Sequence, residues 1–424
     1  MVTRVLIALA SLVSFVGACE KQSKLYCEMH PGDLDNCGYL DAGIDARPVC
    51  MTDQECTGLA GAPYCEPNAK FCVECYLPEH CSAVPGKPFC DPSTFLCTSC
   101  VKNLDCPSNV CLPNGVCGDD SNVAYVDPTA PMTNTQCTMA AKCKLIEDAL
   151  LTKRPYIKLQ GAISEVVAIN SQSVTLIGEP GTTLTRPSNG VVMTVTGGAD
   201  VSIFDLTIVG AAEKGVSADM NSTVRLTRVA VTSCNGKDHR AIEVKNSTLI
   251  MTRSSVFANV GGGINVDAGS IFQITNSFVF RNGSDTSMVG GLQLLPTSST
   301  FNRFEFNTVV DNRATATAAG GINCQTNIPA PNNLIARNYA GGHANLPTDN
   351  TSLSACDFTQ SIKAMDVADY AFVTPDGIGP WDYHVGAGSL AIDRGVTTDI
   401  NIDVDGDARP QGTKVDVGAD EFKL

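Results

Sequence analysis

A chain of 424 residues with 20 cysteines, 37 glycines and a formal net charge of −15 is too long for one compact domain and too acidic for a nucleic-acid binder. A polyanion ligand would need a basic face, and no run of lysine or arginine supplies one. The acidic balance favours solubility and names no substrate.

The first segment, MVTRVLIALASLVSFVGAC, carries one arginine, an apolar stretch and then small residues, the layout of a secretory signal over residues 1–18. It is too short to span a bilayer comfortably. Val16, Gly17, Ala18 and Cys19 resemble the bacterial lipobox. That resemblance implies diacylglycerol on the Cys19 sulfur, cleavage in front of Cys19 and attachment to a membrane through the N-terminal lipid. It places the protein in the cell envelope, at the outer membrane or cell surface, since Glu20 and not an inner-membrane retention Asp comes next. Residues 19–49 read as a linker.

Cys50, Cys56, Cys65 and Cys72 are succeeded by Cys75, Cys81, Cys90 and Cys97 at the same spacing displaced by 25 residues, and then by a shortened copy at Cys100, Cys106, Cys111 and Cys117. The copies end in CEPNAKFC, CDPSTFLC and CLPNGVC, whose middles suit tight turns between short strands. Such a unit buries little core, so two disulfides per copy, each contributing roughly 2–4 kcal/mol, are expected to hold it, with the connectivity left open. Zinc at the pairs Cys72/Cys75 and Cys97/Cys100 is the competing reading. Those pairs are junctions between copies, and the export signal places them outside the reducing cytosol. Residues 50–118 are therefore read as a disulfide-rich stalk. In cysteine spacing alone it resembles the Dickkopf-like repeats of myxobacterial-type surface lipoproteins. The remaining cysteines pair by order as Cys27 with Cys37, Cys137 with Cys143 and Cys324 with Cys356, leaving Cys234 as a buried free thiol.

Residues 138–151, TMAAKCKLIEDALL, have apolar spacing suited to a helix that caps the open end of a strand-rich body. From about residue 155 strand-forming residues dominate. The blocks VTLIG, LTIVG, VAVTSCN, SSVFAN, SFVFRN, NTVVDN and NLIARN stack one apolar position through Leu176, Ile208, Val231, Val256, Val279, Val309 and Ile335, at steps of 32, 23, 25, 23, 30 and 26 residues. This is the rung length of a parallel β-helix. Small-residue strands KGVSAD, RAIEV, GGINV, GGLQL and GGINC give a second face. Asn235, Asn259, Asn282, Asn312 and Asn338 recur at a bend, where asparagine tolerates a left-handed backbone. Ser254, Ser277, Asn307 and Asn333 form an inward polar row. The expected fold is all-β: a right-handed parallel β-helix, a single-stranded solenoid over residues 119–350 with a helical N-terminal cap, closed at its far end by a cap over residues 351–424. The opening VAYVDP, the coil blocks and the ending SLAIDRG…DVDGDARPQGTKVDVGADEF resemble bacterial β-helix proteins of the pectin-lyase-like fold that end in a choice-of-anchor Q region. Leu390 and Arg394 depart from the family tail, whereas Asp403, Asp405, Gly406, Arg409, Pro410 and Gly412 keep its core. The resemblance implies fold and location more than chemistry.

Asp205, Arg228, Arg253 and Asn276 occupy equivalent positions in successive coils. A lyase needs several carboxylates on calcium and an arginine or lysine base, and this row gives one carboxylate beside two arginines. Asp205, Arg228 and Arg253 are thus weak catalytic candidates, read first as a salt-bridge ladder. Lys237, Asp238, His239 and Arg240 read as a solvated insertion. Asn401, Asp403, Asp405 and Gly406 imitate a calcium loop, but Gly412 stands where a bidentate glutamate is required, so they read as a turn. No metal, cofactor or nucleic acid is expected. The expected function is non-catalytic binding of a glycan or surface protein partner at the cell surface; the alternative is a polysaccharide-degrading lyase or glycoside hydrolase.

Overall fold

The computed structural model describes residues 48–424 apart from 83, 85, 298, 299, 342–349, 352–354, 365 and 424. The signal segment, Cys19, Cys27 and Cys37 lie outside the described residues. No helix among the described residues is long and apolar enough to cross a membrane. The chain divides into two units, Met1–Cys117 and Gly118–Leu424.

In the first unit the three cysteine copies share one connectivity, first to third and second to fourth: Cys50–Cys65 and Cys56–Cys72, Cys75–Cys90 and Cys81–Cys97, Cys100–Cys111 and Cys106–Cys117. The two CxxC pairs are therefore divided between different disulfides. Each Pro- and Asn/Ser-bearing stretch closes a small antiparallel pairing, Tyr64–Cys65 with Cys72–Val73, Phe89–Asp91 with Leu96–Thr98, and a bridge from Cys111 to Cys117.

The second unit is a parallel β-solenoid. Alternating side chains turn one edge of each strand inward, and the winding chain lays each strand beside its equivalent one coil on. The first sheet has 8 strands, from Val123–Val126 to Arg303–Glu305; the second has 9, from Ala162–Ser164 to Ile362–Ala364; the third has 7, from Val167–Asn170 to Ile322–Cys324. Residues such as Val201, Ile203, Val224 and Leu226 fill the interior, while their neighbours along each strand remain partly exposed. Before the third sheet the coils approach so closely that a Cβ on Gly290 would lie 1.9 Å from the Gly320 carbonyl oxygen, which explains the paired glycines there.

Four expectations need correction. Leu176 does not belong to the ladder of Ile208; it sits in the first sheet opposite Ile203, and Leu184 takes its place below Ile208. Both residues alternate inward, and the anomalous 32-residue step marked the error. Next, Asn235 is exposed, and Cys234 occupies its ladder position, its amide donating to Asn259 Oδ1 at 2.9 Å. The left-handed residues at that bend precede the ladder: Ser233, Ala258, Arg281, Asp311 and Arg337. In the segment 138–151 only Ile146–Leu151 is helical, because the Cys137–Cys143 disulfide holds the residues before it in a loop. The first two helical amides, of Ile146 and Glu147, donate to the Glu165 carboxylate at 2.7 and 2.9 Å.

Finally, the tail does more than close an end. Ile362–Ala364 is still a strand of the second sheet, and later residues fold back along that sheet's outer face. From Phe278 onward both faces of its strands are buried, as in Phe278–Phe280, Thr308–Val310 and Leu334–Ala336, and the largely apolar outer face needs cover. Val367, Tyr370, Phe372, Tyr383, Val385 and Ala419 supply it as a second core. Cys324 pairs with Cys356, and Cys234 is free and buried, its thiol pushed up to about 11 by burial.

Candidate functional site

The bend between the first and second sheets places Asp205, Arg228, Arg253 and Asn276 at one left-handed position in successive coils. Arg228 holds Asp205 in a two-pronged ion pair at 2.6 and 2.8 Å. Arg253 instead donates to the carbonyls of Val404, at 3.0 Å, and Asp405, while Asn276 donates to the Ile402 carbonyl at 2.8 Å. The row therefore divides its work: two residues pair with each other and two fasten the tail.

The tail sequence DVDGDARP is a structural knot. Asp403 is fully buried, and its Oδ1 accepts from the amides of Asp405, Gly406 and Asp407 at 2.8–2.9 Å. Its Oδ2 accepts from the Glu421 amide at 3.1 Å. A carboxylate saturated by amides closes a turn and has little left for a cation. Arg409 is buried over the Phe306 ring at 4.5 Å, bonded to Glu421 at 2.9 Å and to the carbonyls of Gly418 and Ala419 at 2.9 and 2.7 Å.

Where the tail lifts from the second sheet a cleft of about 620 Å³ opens. Its floor is Ser255, Phe257, Phe278 and Phe280; its wall is the hairpin of Phe372–Thr374 and Asp382–Val385 with the intervening Ile378, Gly379, Pro380 and Trp381. The rings of Phe257 and Phe280 stack at 4.8 Å and 6°. Tyr383 leans on Phe280 at 4.8 Å, and the Arg281 guanidinium lies 4.6 Å from the Trp381 ring, fixed by a 3.0 Å bond to the Tyr383 hydroxyl. His384 forms the polar corner, edge-on to Phe278 at 5.1 Å. Its Nδ1 meets Asp382 Oδ1 at 2.5 Å, and its Nε2 lies 3.2 Å from Asp405 Oδ2. Burial works against the charged imidazole, but the bond to Asp382 and the charges of Asp420 and Asp405 outweigh it, so His384 is held above its ordinary value. Burial pushes the neighbouring Asp420 up to about 6, against the pull of the Val385 amide and His384.

An adjoining hollow of about 360 Å³ brings Arg228 and Arg253 to Ser255, Phe278, His384 and Asp405. The two candidate arginines thus border the cleft, and Asp205 does not line it. Sequence reasoning missed Phe257, Phe278, Trp381 and His384. The signal was present in SSVFAN and SFVFRN, where outward strand positions carry phenylalanine instead of a polar residue.

A second groove, of about 370 Å³, lies over the third sheet. The outward positions Ser217, Glu243, Asn265, Gln293 and Asn323 stack as one polar stripe. Lys245 meets Glu243 at 2.9 Å, Lys214 also pairs with it, and Asp238, His239, Arg240 and Asp267 complete the lining. The insertion after Cys234 therefore contributes to a groove.

The chain is thus a parallel β-solenoid with a tail-roofed aromatic cleft and a polar lateral groove. No protein-family model and no curated protein matches it. Among solved structures it is similar to pectate lyase Pel9A, with a TM-score of 0.43, 12% identity, and coverage of 71% of this chain and 96% of that one. It is also similar to a rhamnogalacturonan lyase, with a TM-score of 0.26, 9% identity, and coverage of 60% and 91%.

Proposed function

We propose that the protein binds a glycan in the aromatic cleft, as a non-catalytic component of the cell surface anchored through lipidated Cys19. The observation that carries this reading is the partly buried Phe257 ring, backed by buried Phe280 and lining the cleft together with Trp381, with Asp382 and His384 at its margin. Sugar rings present C–H faces that pack on aromatic rings and hydroxyls that bond to such polar margins. The engagement of Arg228 with Asp205, and of Arg253 with the tail, supports a binding role over a catalytic one. A second reading, cleavage of an acidic polysaccharide, draws on the lateral groove, where Lys214, Arg240 and Lys245 could meet uronate carboxylates beside Glu243 and Asp267.

Trp381 is the single tryptophan of the chain, so its fluorescence reports on the cleft directly. Purified protein is titrated with acidic and neutral polysaccharides while unsaturated and reducing ends are monitored. The expected outcome is a saturable change with one polymer class, no product, and roughly tenfold weaker binding in Phe257→Ala, about 1.4 kcal/mol. Product formation, or binding that Phe257→Ala leaves untouched, defeats the proposal.

A further inference from the structure

At the edge of the cleft three chain segments converge on one point. The hairpin brings His384, the DVDG turn brings Asp405, and the C-terminal segment brings Asp420, with His384 nitrogen and both carboxylate oxygens all within 4.8 Å of one another. The 3.2 Å between His384 Nε2 and Asp405 Oδ2 is close to the roughly 3.4 Å that separates ligands about 2.1 Å from a tetrahedral ion. Two further observations point to a ligand. His384 Nε2 is shielded from solvent and makes no hydrogen bond, although it faces the two carboxylates. Asp420 is only 7% exposed, yet among the described residues its Oδ2 accepts one bond, 2.7 Å from the Val385 amide, and its Oδ1 accepts none. No lysine or arginine among the described residues forms an ion pair with Asp405 or Asp420, unlike Asp407, which Lys423 meets at 2.7 Å. A buried carboxylate with a single main-chain donor, beside a solvent-shielded imidazole nitrogen that makes no hydrogen bond and has a carboxylate as its near neighbour, matches the ligand set of a cation.

We infer that His384, Asp405 and Asp420 form a binding site for a divalent transition-metal ion of the zinc type. The imidazole selects against calcium and magnesium, which favour all-oxygen shells, and two carboxylates with a neutral histidine balance the charge of the ion. Asp382 acts as a positioning residue: its contact with Nδ1 fixes the ring so that Nε2 points at the ion. Three protein ligands leave a coordination position open beside Phe278 and Ser255, toward the adjoining hollow. The site is distinct from the amide-saturated Asp403. It also does not depend on the glycan reading, because metal uptake is measured without any polysaccharide.

The test uses the full chain with its disulfides intact, stripped by a chelator and titrated calorimetrically with zinc chloride and separately with calcium chloride, with thermal melting in parallel. One zinc per chain is expected, with a raised melting temperature and far weaker calcium binding. Asp405→Asn changes an exposed side chain and leaves the buried turn intact; it and His384→Gln are expected to weaken zinc binding at least about tenfold, and Asp382→Asn by roughly tenfold. Absence of saturable zinc binding, equal affinity in Asp405→Asn and the wild type, or preference for calcium overturns the assignment.

Discussion

The cysteine-rich unit and the solenoid oppose the entropy of the unfolded chain by different means. In residues 50–117 the buried apolar set is almost wholly the cysteines themselves, while Met51, Val101 and Leu104 stand 70%, 90% and 78% exposed. Six disulfides restrict the unfolded state there, and little is gained from burial. In the solenoid the inward row of every sheet is apolar, and at the bends the coils are tied by buried amides. Asn259, Asn282, Asn312, Asn338 and Asn350 each pass a hydrogen bond to the next at 2.8–2.9 Å. A second file at the other bend runs from Ser254 through Ser277 and Asn307 to Asn333. The difference teaches that one chain can contain a unit whose stability depends on redox state beside one whose stability depends on satisfied buried polarity.

Reduction gives the largest separation of the two. Treatment with a strong thiol reductant is expected to abolish the amide-exchange protection of residues 50–117 altogether and to leave the solenoid's strands protected. Equal loss in both units would break the comparison. Within the solenoid, Asn312→Ala removes an amide that serves three coils, leaving the buried Asn282 main-chain amide without its acceptor and taking one bond from each of the Asn282 and Asn338 side chains. A destabilisation of about 3 kcal/mol is expected in denaturant unfolding, because stranded buried polar groups pay their full desolvation penalty. Arg228→Gln should matter least. The Arg228–Asp205 pair is two-fifths exposed and screened, so its loss is expected to shift stability by no more than about 0.5 kcal/mol. A shift several times larger would mean that this corner is structural after all.

Much of this was legible in the sequence because repetition turns local chemistry into geometry. The steps from Ile208 to Ile335 set the second sheet, and Ser254, Ser277, Asn307 and Asn333 could be placed inside because polar residues recurring in register must meet one another. Where the repeat weakens, so does the reading. Leu176 imitates Leu184 because both alternate inward, and Cys234 could not be distinguished from Asn235 as the ladder residue without knowing which bend residue turns left-handed. The cleft lay beyond reach for another reason. It sets Trp381, Tyr383 and His384 beside Phe257, Phe278 and Phe280, with Asp405 in the adjoining hollow, an arrangement made by a tail without a repeat that doubles back over the sheet. Only the doubled phenylalanines announced that something must cover them.

The left-handed corner between the first and second sheets has a consequence for how such a molecule diversifies. At Asp205, Arg228, Arg253 and Asn276 the backbone bends alike whatever the side chain, because the next residue points inward and secures the coil: Leu206 and Val229 by packing, Ser254 and Ser277 by hydrogen bonds. The corner residue is thereby released from specifying the coil. One corner can hold an ion pair, the next can clamp a folded-back tail, and a third could meet a ligand, with the scaffold indifferent to the exchange. Each coil is a socket whose fitting can be replaced without rebuilding the rung behind it.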